Sequence, residues 1–285
     1  RAGSLRLAKR FRVGCAGRRA QRRSQGGSCA WRVTGNALSS LDPTERQGLP
    51  HDEPANILMS LSIIIPCLNE GEGIAAALET LQPLRRRGAE VIVVDGGSSD
   101  DTLARVQGAD RVLAAPRGRA HQMNAGAAQA SGGILVFLHA DSRLPHTADA
   151  LIIDGLQRTR KSWGRFDVKI ENRSPLLRMV EALLNLRSRL TGIATGDQGI
   201  FVTRSLFDAV GRFPEIALME DIELSRRLKR YGRPLRLRHR IGVSGRRWER
   251  HGVLRTIFLM WRLRLAYWMG ADPDKLALRY AHHHP

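Results

Sequence analysis

Cysteine is scarce in this 285-residue chain. There are three, and two of them, Cys15 and Cys29, lie ahead of any regular pattern. No disulfide framework is indicated, so a reducing compartment, the cytoplasm, is the expected setting. Aromatic residues amount to 5%, too few to supply stacking platforms for single-stranded nucleic acid, and no nucleic-acid partner is expected. No apolar run reaches the roughly 20 residues a bilayer-spanning helix needs. Acidic residues are outnumbered, 27 against 46 Lys+Arg, for a formal net charge of +19. An excess of that size, mostly arginine, suits anionic partners such as nucleotides or anionic lipid surfaces.

The charge is uneven. Residues 1–59 hold 11 Lys+Arg against 4 Asp+Glu, with arginines, glycines and serines in no sustained period. Such a stretch buries too little apolar surface to offset its ordering entropy. Residues 1–58 are therefore expected to be a basic, disordered extension, either a presequence or arm or an extension without function, and Met59 is a natural start for the domain that follows.

From residue 61 strands and helices alternate. LSIIIP (61–66) and EVIVVD (90–95) are short continuous apolar runs, as strands buried on both faces require. Ile74, Leu78 and Leu81 recur at helical spacing between them. RVLAA (111–115) is a weaker strand, residues 118–130 an alanine-rich helix, and GILVFLH (133–139) a strong strand. This repetition predicts a mainly parallel sheet with helices on both faces. A helix is expected over 146–160, a half-buried alternating strand over 164–170, and a helix opened by Ser174 and Pro175. A strand over 199–204 and helices over 219–231 and 253–269 complete the pattern.

Ligands of open α/β sheets bind beyond the carboxyl ends of the strands. Asn69 and Glu70 follow the first strand, Asp95 ends the second, and His139 and Asp141 follow the fourth. Gly71-Glu72-Gly73-Ile74-Ala75-Ala76 fits a dinucleotide fingerprint, G-x-G-x-x-A. Four residues separate its first glycine from the strand end at Pro66, however, and Glu70 and Glu72 would face a pyrophosphate, so helix-start glycines account for it better. In VVDGGSSDDT (93–102), Asp95 suits a ribose or base while Ser99 or Asp100 caps a helix. Asp141 offers a hard oxygen suited to Mg²⁺ or Mn²⁺, or caps a helix. GDQG (196–199) reads as a turn, or as an acceptor contact through Asp197 and Gln198.

MEDIE (219–223) opens a helix whose stripe is Leu224, Leu228 and Tyr231. Glu220 and Asp221 fall on its inward side, as caps or as a general base, while Glu223 pairs outward with Arg227. Arg246 and Arg247 beside Trp248 fit a diphosphate. In the last helix Leu254, Ile257, Phe258, Trp261, Leu265 and Trp268 share a face, either packed on the domain or lying in a membrane interface.

In this order the motifs resemble the family-2 glycosyltransferases of GT-A fold, from about Leu61 to Trp248. SIIIPCLNE and VVDGGSSDDT resemble the family's two nucleotide turns, LHAD stands in the place of Asp-x-Asp, and MEDIEL resembles the Glu-Asp motif. HAD, GDQG and RRWERHG resemble a bacterial branch found near radical-enzyme or carotenoid gene neighbourhoods. The resemblance implies a three-layer α/β/α sandwich with a mixed, mainly parallel sheet over residues 59–245, followed by a helical extension over 246–285. It implies inverting transfer from a nucleotide-diphospho-sugar to a hydroxyl or carboxyl acceptor, with a lipid-like compound (polyprenyl or carotenoid) and contact at the cytoplasmic face of the membrane as a hypothesis.

Pro66, Asn69, Glu70, Asp95, Arg119, Arg246 and Arg247 would then bind the donor. Asp141, with His139, would hold a divalent cation. Asp221, beside Glu220, would deprotonate the acceptor, which Asp197, Gln198 and Trp248 would contact. His139 in place of the usual Asp leaves its role open between metal, ribose and strand end. Ser244, where processive members carry glutamine, implies single addition. A nucleotide-binding Rossmann oxidoreductase and a non-enzymatic basic membrane or nucleic-acid adaptor are the competing readings.

Overall fold

The structure, a computed structural model, describes residues 60–283 except 173, 247 and 249–251. The basic first segment and Arg247 lie outside the described residues. Eight strands form one sheet: β1 (Leu61–Cys67), β2 (Glu90–Asp95), β3 (Arg111–Ala114), β4 (Ile134–Phe137), β5 (Ser142–Arg143), β6 (Trp163–Glu171), β7 (Ile200–Thr203) and β8 (Leu235–Ser244). Their order is β3-β2-β1-β4-β7-β6-β8-β5. The first four are mutually parallel, β7 runs antiparallel to β4 and β6, and β8 returns parallel to β6.

The helices are α1 (Ile74–Arg86), α2 (Thr102–Arg105), α3 (Arg119–Gln129), α4 (Ala148–Thr159), α5 (Pro175–Thr191), α6 (Arg204–Ala209), α7 (Glu220–Leu228), α8 (Val253–Trp268) and α9 (Pro273–His283). Along β1 the side chains alternate between two cores, as strand pleating demands. Ile63 and Ile65 join α1 and α4 on one face, and Ile64 joins α3 and α7 on the other. This is the expected three-layer mixed sheet, and it brings the carboxyl ends of β1, β2 and β4 to one edge.

Four local expectations need correction. β4 ends at Phe137, so His139 stands in the following loop and not at the strand's last position. β6 is buried on both faces through Val168. Its polar positions carry an internal ion pair, Arg165 with Asp167, to which Arg189 adds a contact at 2.6 Å. Charge in an alternating pattern marked a paired interior here, not solvent. Residues 235–244 form a strand that the pattern had not suggested, because Arg236, Arg238, His239 and Arg240 interrupt its apolar positions. Tyr231 falls in a 3₁₀ turn and is exposed, leaving the α7 stripe to Leu224 and Leu228.

Helix α5 buries polar residues beside Leu177 and Val180. Its sheet side carries Glu181, Asn185 and Ser188, while Leu176, Met179, Leu183, Leu186 and Leu190 are exposed. The reason lies in β6, which pairs with β7 only at Trp163 and Gly164. Beyond that point α5 takes over as the hydrogen-bonding neighbour. Asn185 accepts from the Val168 N–H at 2.8 Å and donates to its carbonyl at 2.9 Å, and Glu181 accepts from the Ile170 N–H at 3.2 Å. Backbone groups with no partner strand are satisfied by side chains, as buried backbone requires.

Candidate active site

The β1 and β2 turns are tied together. The Asn69 N–H donates to Ser98 Oγ at 2.9 Å, and Asn69 Oδ1 accepts from the Ser99 N–H at 2.8 Å. The N–H groups of Glu70 and Gly71 donate to Thr102 Oγ1 at 2.8 Å and Asp100 Oδ2 at 3.0 Å. Those amides are therefore committed to the neighbouring turn, and a pyrophosphate would find no cradle at the G-x-G-x-x-A stretch. Asp100, not Ser99, receives the Thr102 N–H at the start of α2. Asp95 is 4% exposed and accepts from Gly97 and Ser98 N–H and from Ser98 Oγ. Burial works against its charge, and these donors outweigh it and hold the carboxyl below its ordinary range. Pro66 is buried in β1. Cys67, also buried, has its thiol pushed up to about 12 by burial and then by Asp95.

A residue outside every motif holds this platform. Gln122 on α3 is buried, and its Nε2 donates to the Cys67 and Val94 carbonyls, both at 2.8 Å. It closes the ends of β1 and β2 from below.

Beyond β4, His139 Nδ1 lies 3.2 Å from Asp197 Oδ1. The His139 ring also packs on Gly196, where an added Cβ would stand 2.3 Å from Nε2. Asp221 reaches the same turn: Oδ2 accepts from the Gly196 N–H at 2.8 Å and Oδ1 from the Ile222 N–H at 2.7 Å. Each oxygen keeps a lone pair for another proton. Glu220 beside it is 4% exposed. Burial, then the Asp221 charge, push it up to about 7, against the pull of Arg119 and His139. The preceding Met219 has a left-handed backbone, φ 72°, uncommon for a residue with a side chain.

Arg119, His139, Asp197, Glu220, Asp221 and Arg264 line one pocket. Arg119 is exposed as a residue, yet its guanidinium faces crowded surroundings that work against its charge. Glu220, Tyr280, Asp197 and Asp221 more than offset them. Glu70 joins from the other side. Burial and Asp141 raise its carboxyl, while Arg246, Arg119 and His139 oppose. Asp141 borders an adjoining space with Asp197, Ser244 and Trp248. Arg246 leans on Ser244 Oγ at 3.1 Å and reaches toward Glu72 at 3.6 Å. Gln198 faces inward: it is 1% exposed, its Oε1 accepts from the Thr195 N–H, and its Nε2 lies 3.5 Å from the Phe166 carbonyl.

Among the described residues no group of three or more His, Cys, Asp or Glu side chains could cage a metal ion. The donor set fits a smaller task. A hard divalent cation that stays partly hydrated and rides on substrate phosphates needs only one or two protein carboxylates, and Asp141 can supply one.

The C-terminal helices complete the site. Leu259 and Leu263 of α8 and Leu276 of α9 bury Met219, so the turn that leads into Glu220 and Asp221 is packed against both. The expected apolar face of α8 is not its packing face. Thr256, Leu259 and Leu263 are buried, while Leu254, Phe258, Trp261, Leu265 and Trp268 are exposed. Two cations of the site were not anticipated, Arg187 on α5 and Arg264 on α8. The readable signal was an arginine interrupting an apolar stripe in each helix, after Val180, Leu183 and Leu184 in one and Ile257, Met260 and Trp261 in the other.

The fold is shared with solved structures. The Staphylococcus aureus TarS structure (residues 1–349) matches at TM-score 0.54 and 19% identity, over 66% of this chain and 61% of that one. A mannosyltransferase from Pyrobaculum calidifontis, solved with GDP-Man and Mn²⁺, matches at TM-score 0.53 and 20% identity, over 79% and 69%. Among curated proteins, an uncharacterised glycosyltransferase of Mycobacterium tuberculosis is 37% identical over 90 residues, 30% of this chain and 34% of that protein. The poly-beta-1,6-N-acetyl-D-glucosamine synthase of Staphylococcus aureus is 25% identical over 189 residues, 60% and 46%. The chain thus spans between a third and a half of the length of these curated relatives. Residues 62–207, just over half of the chain, match the family described as Glycosyl transferase family 2. Matched over that length and built on the same sheet, this chain belongs to glycosyltransferase family 2.

Proposed function

We propose that this protein is an inverting glycosyltransferase that moves a sugar from a nucleotide-diphospho-sugar to a hydroxyl of an amphipathic acceptor, by single addition at a membrane surface. The observation that carries this reading is Asp221. Its carboxylate is aimed by two backbone N–H groups into a pocket it shares with Arg119, His139, Asp197 and Glu220. Asp221 takes the acceptor proton as the sugar–oxygen bond forms, a role worth roughly 10²–10⁴-fold. Glu220, raised to about 7 by burial and then by the neighbouring Asp221 charge, is partly protonated near neutral pH. Arg119 and Arg246 stabilise the negative charge that develops on the leaving diphosphate.

Asn69, Glu70 and Asp95, on the platform closed by Gln122, hold the nucleoside against Pro66. Asp141 would hold a Mg²⁺ or Mn²⁺ ion together with the diphosphate, and such an ion, when bound, supplies Lewis-acid stabilisation of the leaving group. The mannosyltransferase solved with GDP-Man and Mn²⁺ supports that choice. His139, turned to Asp197, orients the acceptor side, and Gln198 shapes its turn. The catalytic domain is inferred to span 59–245, with residues 246–285 closing the acceptor side.

A screen of UDP-, GDP- and TDP-sugars with Mg²⁺ or Mn²⁺ should find one donor hydrolysed slowly without acceptor. Asp221→Asn should lower transfer by about 10²-fold or more with nucleotide affinity within about twofold of wild type. A variant that keeps most of its activity would remove the assignment.

The exposed leucines of α5 and aromatics of α8 support membrane contact. No helix among the described residues is long and apolar enough to cross a membrane, so contact would be peripheral.

A further inference from the structure

Between α5 and α8 runs a groove of about 480 Å³. Its walls are apolar, with Leu183 and Leu186 on one side and Ile257 and Trp261 on the other. Its inner end is not: Arg187, Arg264 and Asp197 stand there, next to the Asp221 pocket. The Nε and Nη2 atoms of Arg187 are buried and donate no hydrogen bond to any of the described residues. Its guanidinium is pulled down to about 10, by burial first and by the charge of Arg264 second. Arg264 is lowered by burial, with Asp221 and Asp197 opposing.

Two guanidiniums side by side, one with idle donors, form a costly arrangement in a protein alone. The charges of Asp221 and Asp197 favour both guanidiniums, but among the described residues they leave Nε and Nη2 of Arg187 without an acceptor. Asp221 is engaged by the Gly196 and Ile222 amides and Asp197 by His139. An anion placed between the two arginines relieves both costs, and a phosphate monoester, with about −1.5 to −2 charge and three acceptor oxygens, matches two guanidinium forks better than a carboxylate does. The apolar walls leading away from that point call for a hydrocarbon chain on the same molecule.

We propose that Arg187 and Arg264 form a binding site for the phosphate headgroup of a single-chain lipid whose tail lies between α5 and α8. That this lipid also carries the accepting hydroxyl rests on the transferase reading above; the binding site itself does not.

The test uses the full chain with dodecyl phosphate, dodecanoate, an uncharged dodecyl ether and inorganic phosphate as probes. Binding is read from tryptophan fluorescence, since Trp248 and Trp261 line the groove, with calorimetry for the non-perturbing probe. Dodecyl phosphate should bind at least about tenfold more tightly than each of the other three, as charge-assisted bidentate contacts predict. Arg187→Met and Arg264→Met should each remove that preference. Equal binding of the neutral ether, or unchanged binding in both variants, would overturn the anion site. Inorganic phosphate binding as tightly as dodecyl phosphate would overturn the lipid, and dodecanoate doing so would overturn the phosphate. The probe comparison on the unaltered protein decides these points even if a variant misfolds. Dodecyl phosphate binding in a chain whose Asp221→Asn variant keeps most of its activity would sink the catalytic assignment and leave this site standing.

Discussion

At the scale of single residues, the proposed function rests on two adjacent acids made unequal by their surroundings. Glu220 is buried and sits beside Asp221, whose carboxylate is held by amides. Its carboxyl rises from an ordinary 4.5 to about 7, so the folded chain binds that proton more tightly than the unfolded one. The stability linked to it is full below the ordinary value and is lost as pH rises through 7. Glu220→Gln removes the dependence. Its thermal midpoint relative to wild type should improve steadily from pH 5 to pH 8, and a constant difference across that range would show that Glu220 ionises normally. Asp141→Ala should weaken donor binding by about tenfold or more in the presence of Mn²⁺ and change little in chelator. Equal affinities under both conditions in wild type would take the ion away from Asp141.

At the scale of elements, the parallel strands and the α3 and α7 helices were legible because their apolar runs answer to one demand, burial on both faces or along one stripe. The convergence of Asn69, Asp95 and Asp141 on one edge followed from that topology. Elements whose polar residues are satisfied internally were harder to read. Arg165 and Asp167 pair inside β6, Asn185 and Glu181 stand in for a strand, and Gln122 binds two carbonyls. In each case a polar letter that looks solvent-facing has a buried partner distant in sequence. The polar residues buried on the sheet side of α5 follow from the same cause. Gln122→Leu should therefore cost about 1–3 kcal/mol by leaving the Cys67 and Val94 carbonyls without that donor, measurable by chemical denaturation. It should also raise the KM for the donor more than it lowers kcat. The exposed stripe of α8 has its own expected outcome: Phe258→Ser, Trp261→Ser and Leu265→Ser combined should abolish vesicle binding with little change in thermal midpoint, because none of the three is a packing residue.

At the scale of the whole molecule, a chain of net charge +19 presents an apolar surface made by α5 and α8. Charge and apolar area act over different ranges, the first screened within about 8–10 Å at physiological salt and the second only on contact. Sedimentation with vesicles should show strong binding to anionic lipid at low salt and a residual, salt-resistant fraction set by the apolar stripe. Binding that vanishes entirely with salt would leave α8 no part in it.

The groove's two walls are fastened differently. The α5 wall is hydrogen-bonded to β6 through Asn185 and Glu181 and cannot yield without breaking those bonds. The α8 wall is fastened through Leu259 and Leu263 to Met219, the residue whose left-handed backbone leads into Glu220 and Asp221. A guest that spreads the groove therefore moves the turn before Glu220 and Asp221 rather than the sheet. Tail length then becomes a lever on the chemistry, so a series of acceptors differing only in chain length should vary in kcat as well as in KM, with an optimum at the length that leaves Met219 in place.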